Sequence, residues 1–411
     1  MNTAIEHRSS EWLRALPRSA VFLYNKIMPE QISRLMKRFS FDIDVVGACN
    51  LRCPSCPQGN VKSYRLPHGF MEPELLARIV RKAKAECRVT AIGLFSWAEP
   101  LLHPKLPELI RVVRDAGIGC FLSSNLNILP DADAIMEAGP FSFRISASGF
   151  TQEVYGWSHR GGDIEKVKKN MVKLAEARSR NNASTRIYVY YHRYTHNLKE
   201  EPMMREFAAG LGIDFEPVWA LMFPVEKVLD YANEDGSVRS AEDLELIERL
   251  ALPLGKAIET SRKYRDLACS LRDSQISMDF QGNVQLCCGV FDASKFTVGN
   301  YLTMPLDEIQ RIRQGHGMCD RCRQHGVHVY VTYGTHELEE LAAATISPDD
   351  YELLDLDYEL AQKRLRRGLE KVYQKVFARV ISTEQKAALG ACFNRMQRLV
   401  GRLKRSLRGK G

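Results

Sequence analysis

Three cysteines stand close together in Cys49-Asn-Leu-Arg-Cys53-Pro-Ser-Cys56, three residues apart and then two. Thiolates are the usual ligands of iron–sulfur clusters, and three on one short loop can bind three irons of a 4Fe–4S cube. The fourth iron then lacks a protein ligand and is open to a chelating molecule. Two competing readings are a zinc knuckle and a redox CxxC pair. Structural zinc is closed by four ligands, and no His or Cys directly beside this loop supplies the fourth. A second group comes much later in the chain: Cys269, Cys287, Cys288, Cys319 and Cys322, the last two again a CxxC. The chain holds eleven cysteines. An odd number with no signal peptide argues against a disulfide framework and for metal binding.

These loops need a scaffold, and the middle of the chain supplies one. Short apolar runs rich in β-branched and aromatic residues predict strands at 41–48, 90–96, 120–125, 141–147, 186–193 and 213–221. Helical periodicity predicts helices between them at 73–86, 106–116, 131–137, 164–178 and 198–209. Pro73 suits a first helical position, and Gly117 and Gly212 suit helix ends. Strands alternating with helices imply an α/β fold: a parallel sheet curled into a partial (β/α)6 barrel, or an open doubly wound sheet. In either case ligands gather at the C-terminal ends of the strands. The first cysteine loop follows the first predicted strand directly.

At this point a family resemblance becomes visible. The Cys49–Cys56 loop resembles the signature of the radical S-adenosylmethionine (SAM) superfamily. In that family the open iron of a 4Fe–4S cluster chelates SAM, whose reductive cleavage yields a 5′-deoxyadenosyl radical that takes hydrogen from a substrate. The resemblance implies cluster ligation by Cys49, Cys53 and Cys56. Trp97-Ala98-Glu99-Pro100 is similar to the family's Gly-Gly-Glu-Pro segment, which implies that Trp97, Ala98 and Glu99 contact SAM, with Glu99 facing its ammonium. Ser123-Ser124-Asn125 and Arg144-Ile145-Ser146-Ala147-Ser148-Gly149 resemble later motifs, which implies ribose contacts from Asn125, Ser146 and Ser148. Tyr155 and Arg160-Gly161-Gly162 look like the segment whose arginine meets the SAM carboxylate. Ser55 stands where the family prefers an aromatic residue.

The later cysteines resemble the auxiliary-cluster module called SPASM/Twitch. Gly282 precedes Cys287 at the module's spacing, Gly282-Asn283 reads as a hairpin turn, and Cys319-Asp-Arg-Cys322 closes it. No cysteine follows in Arg323–His328, so the one-cluster Twitch form fits. The resemblance implies a second 4Fe–4S cluster on Cys269, Cys287, Cys319 and Cys322, with Cys288 as an alternate for Cys287. A structural zinc site of four cysteines would use the same thiolates. A closed cluster can accept an electron from a substrate radical, as in 2-deoxy-scyllo-inosamine dehydrogenase-type enzymes. Relatives also epimerise, dehydrate, decarboxylate or crosslink peptides, so a peptide-modifying enzyme is one alternative, and a non-enzymatic zinc or nucleic-acid-binding protein is the other. With 40 residues before the cluster strand there is little room for a leader-peptide domain. A sugar, aminocyclitol or similar small molecule is therefore expected, with Tyr191, His192, Arg193, Glu216 and Trp219 as candidate substrate-side residues. A flavodoxin- or ferredoxin-like protein is the expected electron donor.

The expected organisation is an amphipathic helical extension (1–40), a radical SAM partial barrel (41–235), a linker helix (236–268), a Cys-rich β-hairpin domain (269–330) and a basic helical C-terminal region (331–411). From Lys363 onward 15 Lys and Arg face two acids, a net of +13 that leaves −5 for the rest. Amphipathic spacing at both ends suggests contact with an anionic membrane surface, or a helix docked on the enzyme body. Nucleic acid is not expected: the basic stretch carries few aromatics, Tyr373, Phe377 and Phe393. No apolar run approaches membrane-spanning length, so the expected location is cytoplasmic, with membrane association through the termini.

Overall fold

The computed structural model describes residues 37–233 and 240–364; the amphipathic segment expected within 1–36 and the basic stretch from 365 lie outside the described residues. Residues through Leu354 form one compact unit, and a second begins at Asp355. The first unit is built on a single nine-stranded sheet. Its strands are β1 (Arg38–Ile43), β2 (Arg88–Gly93), β3 (Cys120–Ser124), β4 (Ser142–Ser146), β5 (Arg186–Arg193), β6 (Asp214–Trp219), β7 (Gln275–Met278), β8 (Asn283–Gln285) and β9 (Thr297–Asn300). In space they run β6-β5-β4-β3-β2-β1-β7-β8-β9. The first six are mutually parallel, as is β7 against β1, while β8 and β9 are antiparallel additions. Helices α1 (Pro73–Glu86), α2 (Leu106–Asp115), α3 (Ala132–Ala138), α4 (Gln152–Ser158), α5 (Ile164–Arg180) and α6 (Glu201–Gly210) fill the crossovers. The α/β architecture with a largely parallel, barrel-like sheet is the one expected.

Period-two alternation gives each barrel strand two distinct faces. Phe39, Phe41 and Ile43 of β1, Phe143 and Ile145 of β4, and Ile187, Val189 and Tyr191 of β5 are buried in the hydrophobic core with α1, α2 and α5. The alternate residues, Asp42, Arg144, Ser146, Tyr190 and His192, line a cavity on the other face. That cavity face is polar because it is not needed for the core.

Three local expectations change. β1 ends at Ile43 rather than 48, because Asp44 leaves the ladder to bind another loop, as described below. The linker helix is broken in two, α8 (Ala241–Arg249) and α9 (Leu254–Arg262), after α7 (Val225–Ala232). Pro253 causes the break: it sits at the N-cap of α9, where its missing N–H costs nothing, and it cannot continue α8. The Cys-rich segment does not begin a separate body at 269. Its first strand β7 pairs with β1 over Ser40–Ile43, so the hairpin extends the barrel's own sheet. Gly282, at φ +81°, turns the hairpin, and the Asp279 carboxylate accepts the N–H groups of Gln281 and Asn283.

Beyond the hairpin come α10 (Leu306–Gln314), α11 (Gly317–Gln324), α12 (Val327–Val331), α13 (Glu337–Ala343) and α14 (Pro348–Leu353). No helix among the described residues is long and apolar enough to cross a membrane.

One buried ion pair secures the β5 crossover. Arg193 Nε and Nη2 reach Glu201 at 2.7 and 2.9 Å, with both side chains fully buried. Removing one partner strands the other charge in a low-dielectric interior. Glu201→Ala is expected to lower stability by about 3–5 kcal/mol in chemical denaturation.

Candidate active site

The cavity at the C-terminal ends of the parallel strands has a volume of about 430 Å3. Cys49, Cys53 and Cys56 all line it. None of the three is in a disulfide. The loop that carries them is closed locally. Cys56 N–H donates to Cys53 O, Gly59 N–H to Cys56 O, and Pro57 starts a single helical turn over Pro57–Asn60. A side chain at Gly59 would strike the carbonyl oxygens of Cys53 and Arg52, so this turn tolerates only glycine. Two further N–H groups point at Cys49 sulfur, from Leu51 at 3.5 Å and from the Asn125 amide at 3.9 Å. Burial pushes the Cys49 thiol up to about 11 and Cys53 to about 12, and Cys56 well above its usual range. The neighbouring sulfurs reinforce the effect at Cys53 and Cys56, as two negative charges so close repel. A metal bound here would have to displace these protons. Among the described residues no three His, Cys, Asp or Glu side chains are grouped to hold a single metal ion.

Two buried carboxylates assemble the adjoining loop. Asp44 accepts hydrogen bonds from three successive backbone N–H groups, those of Ser96, Trp97 and Ala98, at 2.8–3.0 Å. Glu99 accepts from Leu101 N–H at 3.0 Å and from Asn125 N–H at 2.8 Å. Both side chains are buried, at 7% and 2% exposed. Burial raises Asp44 to about 6 and Glu99 to about 7, against the opposing pull of these N–H donors. Asp44 carries no signal in the sequence, where it falls inside the strand expected at 41–48. Its partners become visible only once β1 and β2 lie side by side.

Of the expected SAM-side residues, Trp97, Ala98, Glu99, Asn125 and Ser146 line the same cavity as the cysteines. The Trp97 indole N–H is directed to Val290 O at 3.1 Å, so this residue bridges the barrel to the Cys-rich segment. Ser148 and Arg160 are not brought into the cavity. Ser148 is fully buried, and its Oγ accepts the N–H of His192 at 3.0 Å. Arg160 is exposed, and its backbone carbonyl accepts the N–H of Arg52, which pins the cluster loop from outside. Tyr155 is also buried, stacked on His159 with ring centres 4.6 Å apart. Ser55 lines the cavity and accepts a hydrogen bond from Tyr194.

On the substrate side, alternation along β5 separates the candidates. His192 faces the cavity. Tyr191 and Arg193 face the helices: Tyr191 donates to Asn197 O at 2.7 Å, and Arg193 is bound to Glu201. Glu216 is tied to Arg186 at 2.7 Å, at the opposite end of the strand. Trp219 is buried and donates to Glu339. Burial lowers His192 to about 3, so its ring is neutral. Among the cavity residues that sequence reasoning does not single out are Asp42, Tyr190 and Tyr333. Asp42 accepts from Gln275 Nε2 at 2.7 Å, and burial raises its carboxyl to about 7.

The second cysteine group surrounds a separate small pocket of about 30 Å3. Cys269, Cys287, Cys319 and Cys322 line this pocket, whereas Cys288 lines the large cavity and donates to Gln275 Oε1 at 3.2 Å. The two linings thus assign the pair to different sites. Arg313 is fully buried beside the small pocket. It donates to Leu286 O at 2.8 Å, Leu271 O at 2.6 Å and Gln310 Oε1 at 3.3 Å. No carboxylate is among these partners. The sulfurs of Cys287, Cys319 and Cys269 are the nearby groups that would favour its charge if ionised. Leu271 and Val331 line both cavities and form a shared wall.

Residues 43–200 match the family model described as the radical SAM superfamily. The matched region begins at the last residue of β1 and takes in the cysteine loop and the next four strands, so this part of the chain is a radical SAM domain. The tungsten-containing aldehyde ferredoxin oxidoreductase cofactor-modifying protein of Pyrococcus furiosus is 24% identical over 202 residues, 48% of this chain and 55% of that protein. The GTP 3',8-cyclase of Chlorobaculum tepidum is 28% identical over 149 residues, 34% of this chain and 43% of that protein. The chain thus spans about half the length of these curated relatives. The crystal structure of Streptococcus suis SuiB bound to S-adenosylmethionine overlays with a TM-score of 0.49 and 14% identity, covering 78% of this chain and 77% of that one.

The raised carboxyl of Asp42 has a consequence for stability. Its folded value, about 7, lies above the ordinary 3.8, so its contribution is fully present below about pH 4 and is lost as pH rises through 7. Asp42→Asn should therefore gain stability relative to the parent on going from pH 5 to pH 8, by about 2 kcal/mol. Thermal melts of both proteins at the two pH values check this.

Proposed function

We propose that this chain is an oxidoreductase acting on a small molecule of the sugar or aminocyclitol type, with a second, auxiliary 4Fe–4S cluster. The observation that carries the reading is the pairing of two thiol-lined cavities across one wall, Leu271 and Val331. In the larger cavity, Cys49, Cys53 and Cys56 would hold a cluster with one open iron. When bound, that cluster and SAM supply a 5′-deoxyadenosyl radical, with the first electron from a flavodoxin- or ferredoxin-like donor. The remaining work belongs to the protein. Trp97, Ala98, Glu99, Asn125 and Ser146 line the wall beside the cysteines and would orient SAM. His192, neutral, would accept or donate a hydrogen bond without adding charge.

Oxidation of a carbon bearing a hydroxyl removes a hydrogen atom, then one electron and one proton. Asp42 is suited to take the proton, because burial brings its carboxyl to about 7, near working pH. The electron would pass to the smaller site, where Cys269, Cys287, Cys319 and Cys322 would close a cluster completely. Arg313 supports an anionic occupant there, since a buried guanidinium without a carboxylate partner is costly unless a countercharge is present. Zinc on four thiolates would be anionic too, but it cannot accept the electron.

The test is anaerobic purification with iron and sulfide analysis, followed by incubation with SAM and a strong reductant. Roughly eight irons per chain and formation of 5′-deoxyadenosine are expected, and Cys53→Ala should abolish the product. Cys287→Ser should lose about half the iron, while Cys288→Ser keeps it. Zinc in the second site would end the electron-transfer reading, and 5′-deoxyadenosine made equally by Cys53→Ala would overturn the whole.

A further inference from the structure

Arg144 is the one Lys or Arg among the described residues lining the large cavity. It stands on β4 two residues before Ser146, deeper in the barrel than the strand ends that carry the cysteine loop. Its guanidinium is held on three sides. The rings of Phe95 and Tyr190 each have their centre 4.7 Å from it, and Nε donates to Ser123 Oγ at 2.8 Å. Stacking and the Nε bond fix the plane of the group and leave the edge with the two terminal nitrogens. Among the described residues those nitrogens have no hydrogen-bond acceptor, and no carboxylate reaches ion-pair distance of them.

The cavity offers little to balance this charge. Both Glu99 oxygens are engaged by backbone N–H groups; Asp42, held through one oxygen by Gln275, feels the Arg144 charge without reaching ion-pair distance of it. At neutral pH burial keeps the Asp42 carboxyl partly protonated and the His159 and His192 rings uncharged. A planar, pre-oriented guanidinium edge is matched to a two-oxygen anion, which it binds through paired, charge-assisted hydrogen bonds. The stacked rings keep the group from turning away when the site is empty of ligand.

We infer that Arg144 anchors an oxyanion of the substrate, a carboxylate or a phosphate, so that the molecule oxidised here is an acidic one, such as a sugar acid or sugar phosphate, and not a neutral or cationic aminocyclitol. The inference rests on the function proposed above for the location of the chemistry, but its test needs no turnover. The SAM-loaded holoenzyme is titrated with three hexose probes that share a ring: D-glucuronate, D-glucose 6-phosphate and D-glucose. At least one anionic probe should bind about tenfold or more tightly than glucose, the worth of a charge-assisted pair. Which of the two binds tells carboxylate from phosphate. Arg144→Gln should erase that preference, and Arg144→Lys, a point charge without the fork, should keep part of it. Equal binding of all three probes by the parent protein overturns the inference, even where no variant folds. So does a preference that persists in Arg144→Gln, or a variant whose defect is confined to SAM affinity, which would assign Arg144 to the SAM carboxylate. Absence of 5′-deoxyadenosine in the parent would instead strike the radical reading and leave the anion site standing.

Discussion

The two cysteine groups are held together by one ladder, the parallel pairing of β7 with β1 over Ser40–Ile43. β1 leads into the loop of Cys49, Cys53 and Cys56, and β7 leads through its hairpin to Cys287 and Cys288. Pairing in register fixes the distance between the two loops as firmly as any covalent link within the barrel. Asp42 and Gln275 mark the junction, since their side chains bond across the ladder and face the same cavity as Cys288. Every later feature, from the shared wall to the placement of Arg313, depends on this strand taking the seventh place in the sheet.

A second constraint is the conflict between burial and charge at the strand ends. Asp42, Asp44 and Glu99 all sit in low dielectric, and all three have raised carboxyls for that reason. Their roles differ through their hydrogen bonds. Asp44 and Glu99 are consumed in shaping loops, because each carboxylate oxygen meets a backbone N–H that would otherwise be buried without a partner. Asp42 meets only a side-chain amide and stays available for chemistry. A loop acid that looks like a ligand contact in a motif can thus also be the piece of architecture that positions the contact.

Much of this is legible in the residues, for reasons that can be named. Strong periodicity marks α1 from Pro73 to Glu86 and the six barrel strands, and tight cysteine spacing marks both cysteine groups. The errors come where a signal is local and its meaning is not. Tyr191, His192 and Arg193 are consecutive, so their types alone cannot say which one faces the cavity; the pairing of β5 with β4 and β6 decides it. Helix α4, which carries Tyr155, spans just under two turns, too few for an apolar repeat to stand out. Cys287 and Cys288 are equivalent until the backbone shows which way each points. Arg144 reads in the sequence as part of a SAM motif, and only the convergence of Phe95, Ser123 and Tyr190, from three different strands or strand ends, reveals how it is held.

Leu271 and Val331 both border the partition between the two cavities, so the size of their side chains bears on it. Its thickness is therefore adjustable without moving a ligand. Descendants of such a protein can loosen or tighten the link between the two compartments by adding or removing a methyl group at either position. The same scaffold can then serve reactions that export an electron and reactions that must retain it, and the choice between them need leave no trace in any cysteine motif.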